Sequence, residues 1–379
     1  MSLTSQLNTS QSNVRKFFAD NESKSGMVEC LSLLQSTTPL SQIAFKPKKM
    51  ITTATYLGIM ADYLFRFYYL GNAFKIEKTI AYEGVNKCNN RVLEYPGNKC
   101  IIKPIGSIIS AKLLLVGTPF FNRTLLDDRH GLYRATTFAV LDTFFRSERW
   151  PSIIIENICE YLISIGWWKK FEFEGEYVYE ESGSVEFSKN EIERIAIQSF
   201  DELYDTLGGD DFTSELINIV NIMKESKKSN SGLGEAQIKI SNGTMYNSRF
   251  IGADFDTVMV KGNDMIMTDI KTLTRPLTKK DLLQLISYCL LCSEKDEPPR
   301  ITHAGIYHGR SGDYKYLPLP DIIRMTLPTF ESIEDARSEF ISRIAPHEEK
   351  TSTKPTVSTA RSLANAQRKA AIAFSSRKL

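Results

Sequence analysis

The spacing of hydrophobic positions changes along this chain, and the change divides it. In the first half the dominant period is helical. Over residues 52–70 apolar side chains recur three and four apart, and Asp62 and Arg66 fall four apart on one face. Residues 133–145 and 152–168 predict two further amphipathic helices, separated by Trp150-Pro151. Residues 1–20 are polar, with Val14, Phe17 and Phe18 as anchors, and 87–103, rich in Asn, Gly and Pro, reads as loop. Residues 171–181 alternate aromatic with acidic side chains, as in an exposed hairpin or an acidic loop.

A strong helical pattern over 190–207 is stopped by Gly208-Gly209, and another follows over 213–225 before a Ser/Lys/Asn/Gly linker at 226–234. Then the period becomes two. Residues 255–260 and 265–270 predict short strands joined by a tight turn at Gly262-Asn263. Thr278 opens a helix, and Asp281 stands three residues on, as in a capping box. Residues 301–307 predict a strand, and 322–327 and 333–344 predict helices. Beyond Pro346 there is too little apolar surface to pack, which predicts a disordered tail. The organisation expected is a mainly helical region over 1–188, an α/β domain over 189–345 and a tail over 346–379.

Composition narrows the classes of function. No apolar run is long enough to cross a bilayer, because the richest, 56–70, is broken by Asp62 and Arg66. The first residues carry no apolar signal core, so a cytoplasmic protein is expected. Net charge is +2, and the tail alone holds seven Lys/Arg against two Glu, so the rest is slightly acidic. Any nucleic acid would have to be held by a local groove. Cys289 and Cys292 form a Cys-x-x-Cys, but it sits in an apolar helical pattern with no second pair of ligands, which suits buried thiols better than zinc.

The chemistry lies between Gly252 and Tyr288. Cleaving a phosphodiester requires charge stabilisation on phosphate, an activated water and an eased alkoxide departure. Magnesium held by one or two carboxylates supplies all three. A two-residue turn at Gly262-Asn263 sets Lys261 opposite Asp264, and hence Asp256 opposite Asp269. Lys271, two residues beyond Asp269, leaves the same strand face and can orient or deprotonate the attacking water, or bind the scissile phosphate. Asp254 lies on the face of Asp256 and competes with it as a ligand, but lacks the register with Asp269. Gln284 and Tyr288, four apart, project from one helical face beside the apolar stripe of Leu282, Leu285, Ile286 and Cys289.

In sequence order Asp256, Asp269-Ile270-Lys271 and Gln284-Leu285-Ile286-Ser287-Tyr288 resemble the motifs of the PD-(D/E)XK nuclease superfamily, in its RecB-like or phage-exonuclease-like branch. The resemblance covers about 210–310. A weaker one, to a GxxxDxxxR-like helix found in some of these nucleases, falls on Gly58–Arg66. The resemblance implies a restriction-endonuclease-like mixed sheet flanked by helices. It also implies Mg²⁺ or Mn²⁺ held by Asp256 and Asp269 with help from the Ile270 carbonyl, and Lys271 serving the water. Gln284 and Tyr288 would then support the lysine or touch phosphate. The family often adds a glutamate from the preceding helix. Glu215 is the leading candidate, Glu225 and Glu235 compete, and a solvated helix glutamate is as good a reading. Arg310 reads as a phosphate ligand or, better, a surface arginine. DNA is the implied substrate, in a defence, repair or mobile-element role. RNA, a protein partner or self-association remain open, as does the alternative of a nuclease-fold binding subunit inactive alone.

Overall fold

The computed structural model describes residues 3–38, 50–70, 205–229, 232–293, 295 and 300–345. It also describes four short strands and single helical positions between 79 and 203. The described elements are α1 (Leu3–Asn8), α2 (Asn13–Asn21), α3 (Lys24–Leu34), α4 (Met50–Leu70), the hairpins β1 (Leu93–Tyr95)–β2 (Asn98–Ile102) and β3 (Trp168–Phe173)–β4 (Glu176–Glu181), α5 (Asp210–Lys228), β5 (Gln237–Thr244), β6 (Asp254–Lys261), β7 (Asp264–Lys271), α6 (Lys279–Leu291), β8 (His303–His308), β9 (Tyr314–Pro318), α7 (Leu319–Thr326) and α8 (Ile333–Ile344). A five-stranded sheet in the order β5-β6-β7-β8-β9 carries the fold. It is mixed: β7 and β8 run parallel and the other pairs antiparallel. The chain is thus α/β, with a mixed sheet flanked by helices.

Local chemistry explains the central elements. Gly262 adopts φ 59°, which the two-residue hairpin turn needs and a side chain would resist. Lys261 and Asp264 therefore face each other, and the register runs unbroken to Thr257 opposite Thr268. A parallel neighbour for β7 requires a crossover, and α6 makes it between β7 and β8. At the start of α6 the Asp281 carboxylate accepts from the Thr278 N–H at 2.8 Å and its hydroxyl at 2.7 Å, satisfying groups that a helix start leaves bare.

Alternation along the strands sorts the two faces. Ala304 and Ile306 join Val258 and Met267 in one core with Leu282, Leu285, Ile286 and Cys289 of α6. Tyr307 turns the other way, its ring 5.0 Å from Phe65 of α4 and its hydroxyl toward Ser226 of α5. Helices therefore cover both faces. The outer side of α6 is buried too, because α1, α2 and α3 pack with α6, α7 and α8. Phe17 of α2 sits 5.0 Å from Phe340 of α8 and 5.7 Å from Phe330, and Leu3, Val14, Phe18, Met27 and Leu34 belong to the same core. The backbone seals the junction: Leu3 N–H donates to Gly252 O at 2.9 Å, and Ser23 N–H to Thr326 O at 2.9 Å. Gly26 of α3 passes so close to the Met325 carbonyl that any Cβ would collide with it.

Several expectations are corrected. The boundary at 188/189 does not delimit this core, since three helices from residues 3–34 complete it. Residues 87–103 contain the β1–β2 hairpin, and Trp168, expected to close a helix over 152–168, instead begins β3; most of that stretch lies outside the described residues. Helix α5 runs on to Lys228, and a 3-10 turn at Gly232–Glu235 takes up part of the expected linker. Strands β5 and β9 were not anticipated, because their alternation is short and carries polar residues on one face. The tail over 346–379 lies outside the described residues. Among them no helix is long and apolar enough to cross a membrane.

Candidate functional site

The site forms where β6 begins and β7 ends. Continuing the β6–β7 register one step beyond Thr257–Thr268 brings Asp256 opposite Asp269. The ladder stops there because a side chain replaces it: the Asp256 Oδ2 accepts the Ile270 backbone N–H at 2.8 Å. Met267, Asp269 and Lys271 alternate onto the face that carries α6. Lys271 Nζ stands 2.7 Å from Asp269 Oδ2 and donates to Gln284 Oε1 at 3.2 Å. Gln284 Nε2 in turn donates to the Tyr288 hydroxyl at 2.7 Å. The structure thus brings together Asp256, Asp269, Ile270, Lys271, Gln284 and Tyr288. Asp254 stands at the start of β6, paired in register with Thr244 of β5.

Burial makes this arrangement electrostatically tense. Asp269 is only 3% exposed. Desolvation pushes its carboxyl up to about 8; the Lys271 ammonium opposes the rise and the neighbouring Asp256 adds to it. Desolvation works against the Lys271 ammonium as well, but Asp269 and Asp256 outweigh it and its pKa is raised. Two carboxylates face one ammonium, so the ionised site carries an excess negative charge. Lys271 holds Asp269 Oδ2 in a buried ion pair at 2.7 Å. A buried carboxylate beside a second carboxylate, with one ammonium between two acids, is a fit for a hard divalent cation. Among the described residues no group of three or more His, Cys, Asp or Glu side chains is gathered for a metal. Magnesium, which keeps several waters, requires only one or two carboxylates.

Glu215 of α5 is buried and ion-paired to Arg310, which follows β8. Arg310 is no surface arginine: it is 5% exposed, and burial lowers its pKa to about 10. Its Nε donates to the Thr272 carbonyl at 2.7 Å, and Gly309 N–H donates to the Lys271 carbonyl at 2.8 Å. The pair therefore pins the backbone that leaves β7. Glu225 is exposed and pairs with Lys228; Glu235 pairs with Lys261. In α4, Asp62 and Arg66 pair with each other, a half-buried carboxylate on a buried guanidinium 2% exposed. Gly58 of the same helix packs near Thr272, just beyond Lys271. Cys289 and Cys292 are buried free thiols.

Sequence reasoning missed the Glu215–Arg310 pair, whose members are 95 positions apart and share no motif. No family model, curated protein or solved structure matches this chain. Its chemistry is read from its own geometry.

Proposed function

We propose that this protein is a divalent-metal-dependent nuclease that hydrolyses phosphodiester bonds of DNA. In this reading it is a member of the PD-(D/E)XK superfamily, of its RecB-like branch, with a restriction-endonuclease-like sheet. One observation carries the reading. Asp256 and Asp269 come side by side at a sheet end, with Lys271 2.7 Å from Asp269 and supported from α6 by Gln284 and Tyr288.

Asp256 and Asp269 would hold Mg²⁺ or Mn²⁺, with the Ile270 carbonyl and Asp254 as candidates for further ligation. The bound cation would supply Lewis acidity and lower the pKa of water. The side chains do the rest. Asp256 is fixed by the Ile270 N–H, so both carboxylates keep one geometry as substrate arrives. Lys271, held as an ammonium by its carboxylate neighbours, suits binding the scissile phosphate. Gln284 Oε1 accepts a hydrogen bond from the ammonium, and Tyr288 fixes the Gln284 amide so that its oxygen faces the lysine.

The test is cleavage of plasmid and linear DNA with Mg²⁺ or Mn²⁺, wild type beside Lys271→Ala. Metal-dependent cutting lost in the variant is the expected result. Preference for circular or linear DNA then separates endonuclease from exonuclease action. No cutting by wild type would overturn the reading in favour of a binding subunit that is inactive alone.

A further inference from the structure

The loop from β7 to α6 leaves the site at Lys271 and is held along its length. Arg310 Nε donates to the Thr272 carbonyl at 2.7 Å, and the Leu277 N–H donates to Gln35 Oε1 at 2.8 Å. Arg275 stands in this loop, and its side chain is held too. Nη1 donates to Asp281 Oδ2 at 2.7 Å and to the Pro276 carbonyl at 2.9 Å, and Nη2 donates to Asp281 Oδ1 at 3.3 Å. Asp281 is buried, and its capping bonds with Thr278 keep the carboxylate in place. The Arg275 side chain is 47% exposed.

A guanidinium carries five N–H groups in a fixed plane. Three of those on Arg275 are used, all at the Nη1–Nη2 end. The Nε–H and the second Nη2–H point from the other edge, and among the described residues they have no partner. That edge is a fork that matches two oxygens of one phosphate. A half-exposed ion pair adds little stability. What the Asp281 contact supplies is orientation, so that the fork is set before a ligand arrives. The surroundings are positive: from Leu273 to Lys280 the chain holds three cations and no acid, and Lys280 is exposed like Arg275.

Placement ties the fork to the site. Asp281 is three residues before Gln284 on one face of α6, and Gln284 accepts from Lys271. Asp281 and Lys271 lie close enough for each charge to favour the other. Helix neighbours three apart stand about 5–6 Å apart at Cβ. With the 2.7 Å ion pair the span is about 8–9 Å, or two to three nucleotides at about 3.4 Å of rise each.

We propose that the Nε–Nη2 edge of Arg275 binds a backbone phosphate of the nucleic-acid strand a few nucleotides from the bond cut at Asp256 and Asp269, with Asp281 as its positioning residue. The inference rests on the nuclease reading and adds a substrate-binding residue to it. A fork on phosphate is indifferent to base sequence.

The test is fluorescence anisotropy of labelled single-stranded and duplex DNA on the full chain with Mn²⁺, at several salt concentrations. The parent protein carries Asp269→Asn, which removes a metal carboxylate so that the DNA stays whole, and which keeps Lys271. Arg275→Gln is expected to bind roughly tenfold more weakly than the parent. Its slope of log affinity against log salt should be shallower by about 0.7–0.9, the signature of one lost phosphate contact. Arg275→Lys keeps the charge beside Asp281 but has no fork, so it should keep the parent's slope and regain only part of the affinity. Unchanged affinity and slope in Arg275→Gln would overturn the proposal and leave Arg275 a clip on Asp281. So would an Arg275→Lys variant that binds as tightly as the parent, a result that decides the matter even if Arg275→Gln fails to fold. No binding of either DNA by the parent would overturn it as well. Weaker binding by both variants, when wild type never cuts DNA, would leave this contact standing and overturn the nuclease reading alone.

Discussion

Asp256 accepts the backbone N–H of Ile270 at 2.8 Å, so the first carboxylate of the site is fastened to the strand that carries the second. The bond takes the place of a ladder bond at the open end of the β6–β7 hairpin. It fixes the spacing of the two acids by a short covalent route, from Asp256 around Gly262 to Asp269. The separation of the two carboxylates is thereby set by a hairpin, the most local of sheet contacts, rather than by packing between distant segments.

A site with a buried carboxylate, a half-buried one and a single ammonium should destabilise the metal-free protein at neutral pH. Asp269 has a raised pKa in the fold, so the folded state binds its proton more tightly than the unfolded chain does. The stability it contributes is then present in full below the ordinary carboxylate value and lost as pH rises toward about 8. Asp269→Asn balances Asp256 against Lys271. In chelator the variant should melt higher than wild type at pH 8, by roughly 2–4 °C for each kcal/mol relieved. The difference should shrink as pH falls, and added Mn²⁺ should stabilise wild type alone. A variant that melts below wild type at pH 8 would contradict this account of the site.

If the protein is the proposed nuclease, Gln284 acts through Lys271, to which it is hydrogen-bonded, as a positioning residue. Gln284→Leu removes one acceptor of the lysine and one partner of the Tyr288 hydroxyl. About 1 kcal/mol of support is at stake, or roughly five- to tenfold in rate. The loss should fall on kcat rather than KM, and Gln284→Glu should restore more of it than Leu. Equal losses for Gln284→Leu and Lys271→Ala would mean that Gln284 touches substrate itself.

The legible parts of this molecule were local. The β6–β7 register followed from one two-residue turn, and with it the meeting of Asp256 and Asp269. Gln284 and Tyr288 shared a helix face by arithmetic alone, and the capping box at Thr278 and Asp281 fixed where that helix begins. What stayed hidden depends on contacts between remote segments. Nothing around Phe17 announces that it will pack on Phe340, since both lie in ordinary amphipathic helices. Arg310 looked exposed because a charge in a loop usually is, and only the fold brings Glu215 to it. Strand β5 was masked by its polar face.

Glu215 and Arg310 give a decisive comparison between structural support and metal binding. Breaking a buried ion pair from one side strands the other charge and costs about 3–5 kcal/mol. Glu215→Gln should therefore lower the urea midpoint sharply, and Glu215→Gln/Arg310→Met should recover much of the loss. The Mn²⁺-induced rise in melting temperature should survive in the double variant. Its disappearance, with Asp256 and Asp269 intact, would make Glu215 a ligand instead of a strut for the end of β7.

The first three helices should unfold with the sheet rather than before it. Phe17 is fully buried among Phe18, Phe330 and Phe340, and α1 and α3 lie against α6, the helix that carries Gln284 and Tyr288. Phe17→Ala removes a ring from a packed aromatic cluster, at a cost of about 3–5 kcal/mol. If α2 and α6 belong to one cooperative unit, amide exchange protection in α6 should fall by the same free energy as in α2. Activity at saturating substrate would then change little at low temperature and collapse at a lower one than in wild type. Loss of protection confined to residues 3–34, with α6 as protected as before, would show instead that these helices are a detachable cover on the core of the mixed sheet.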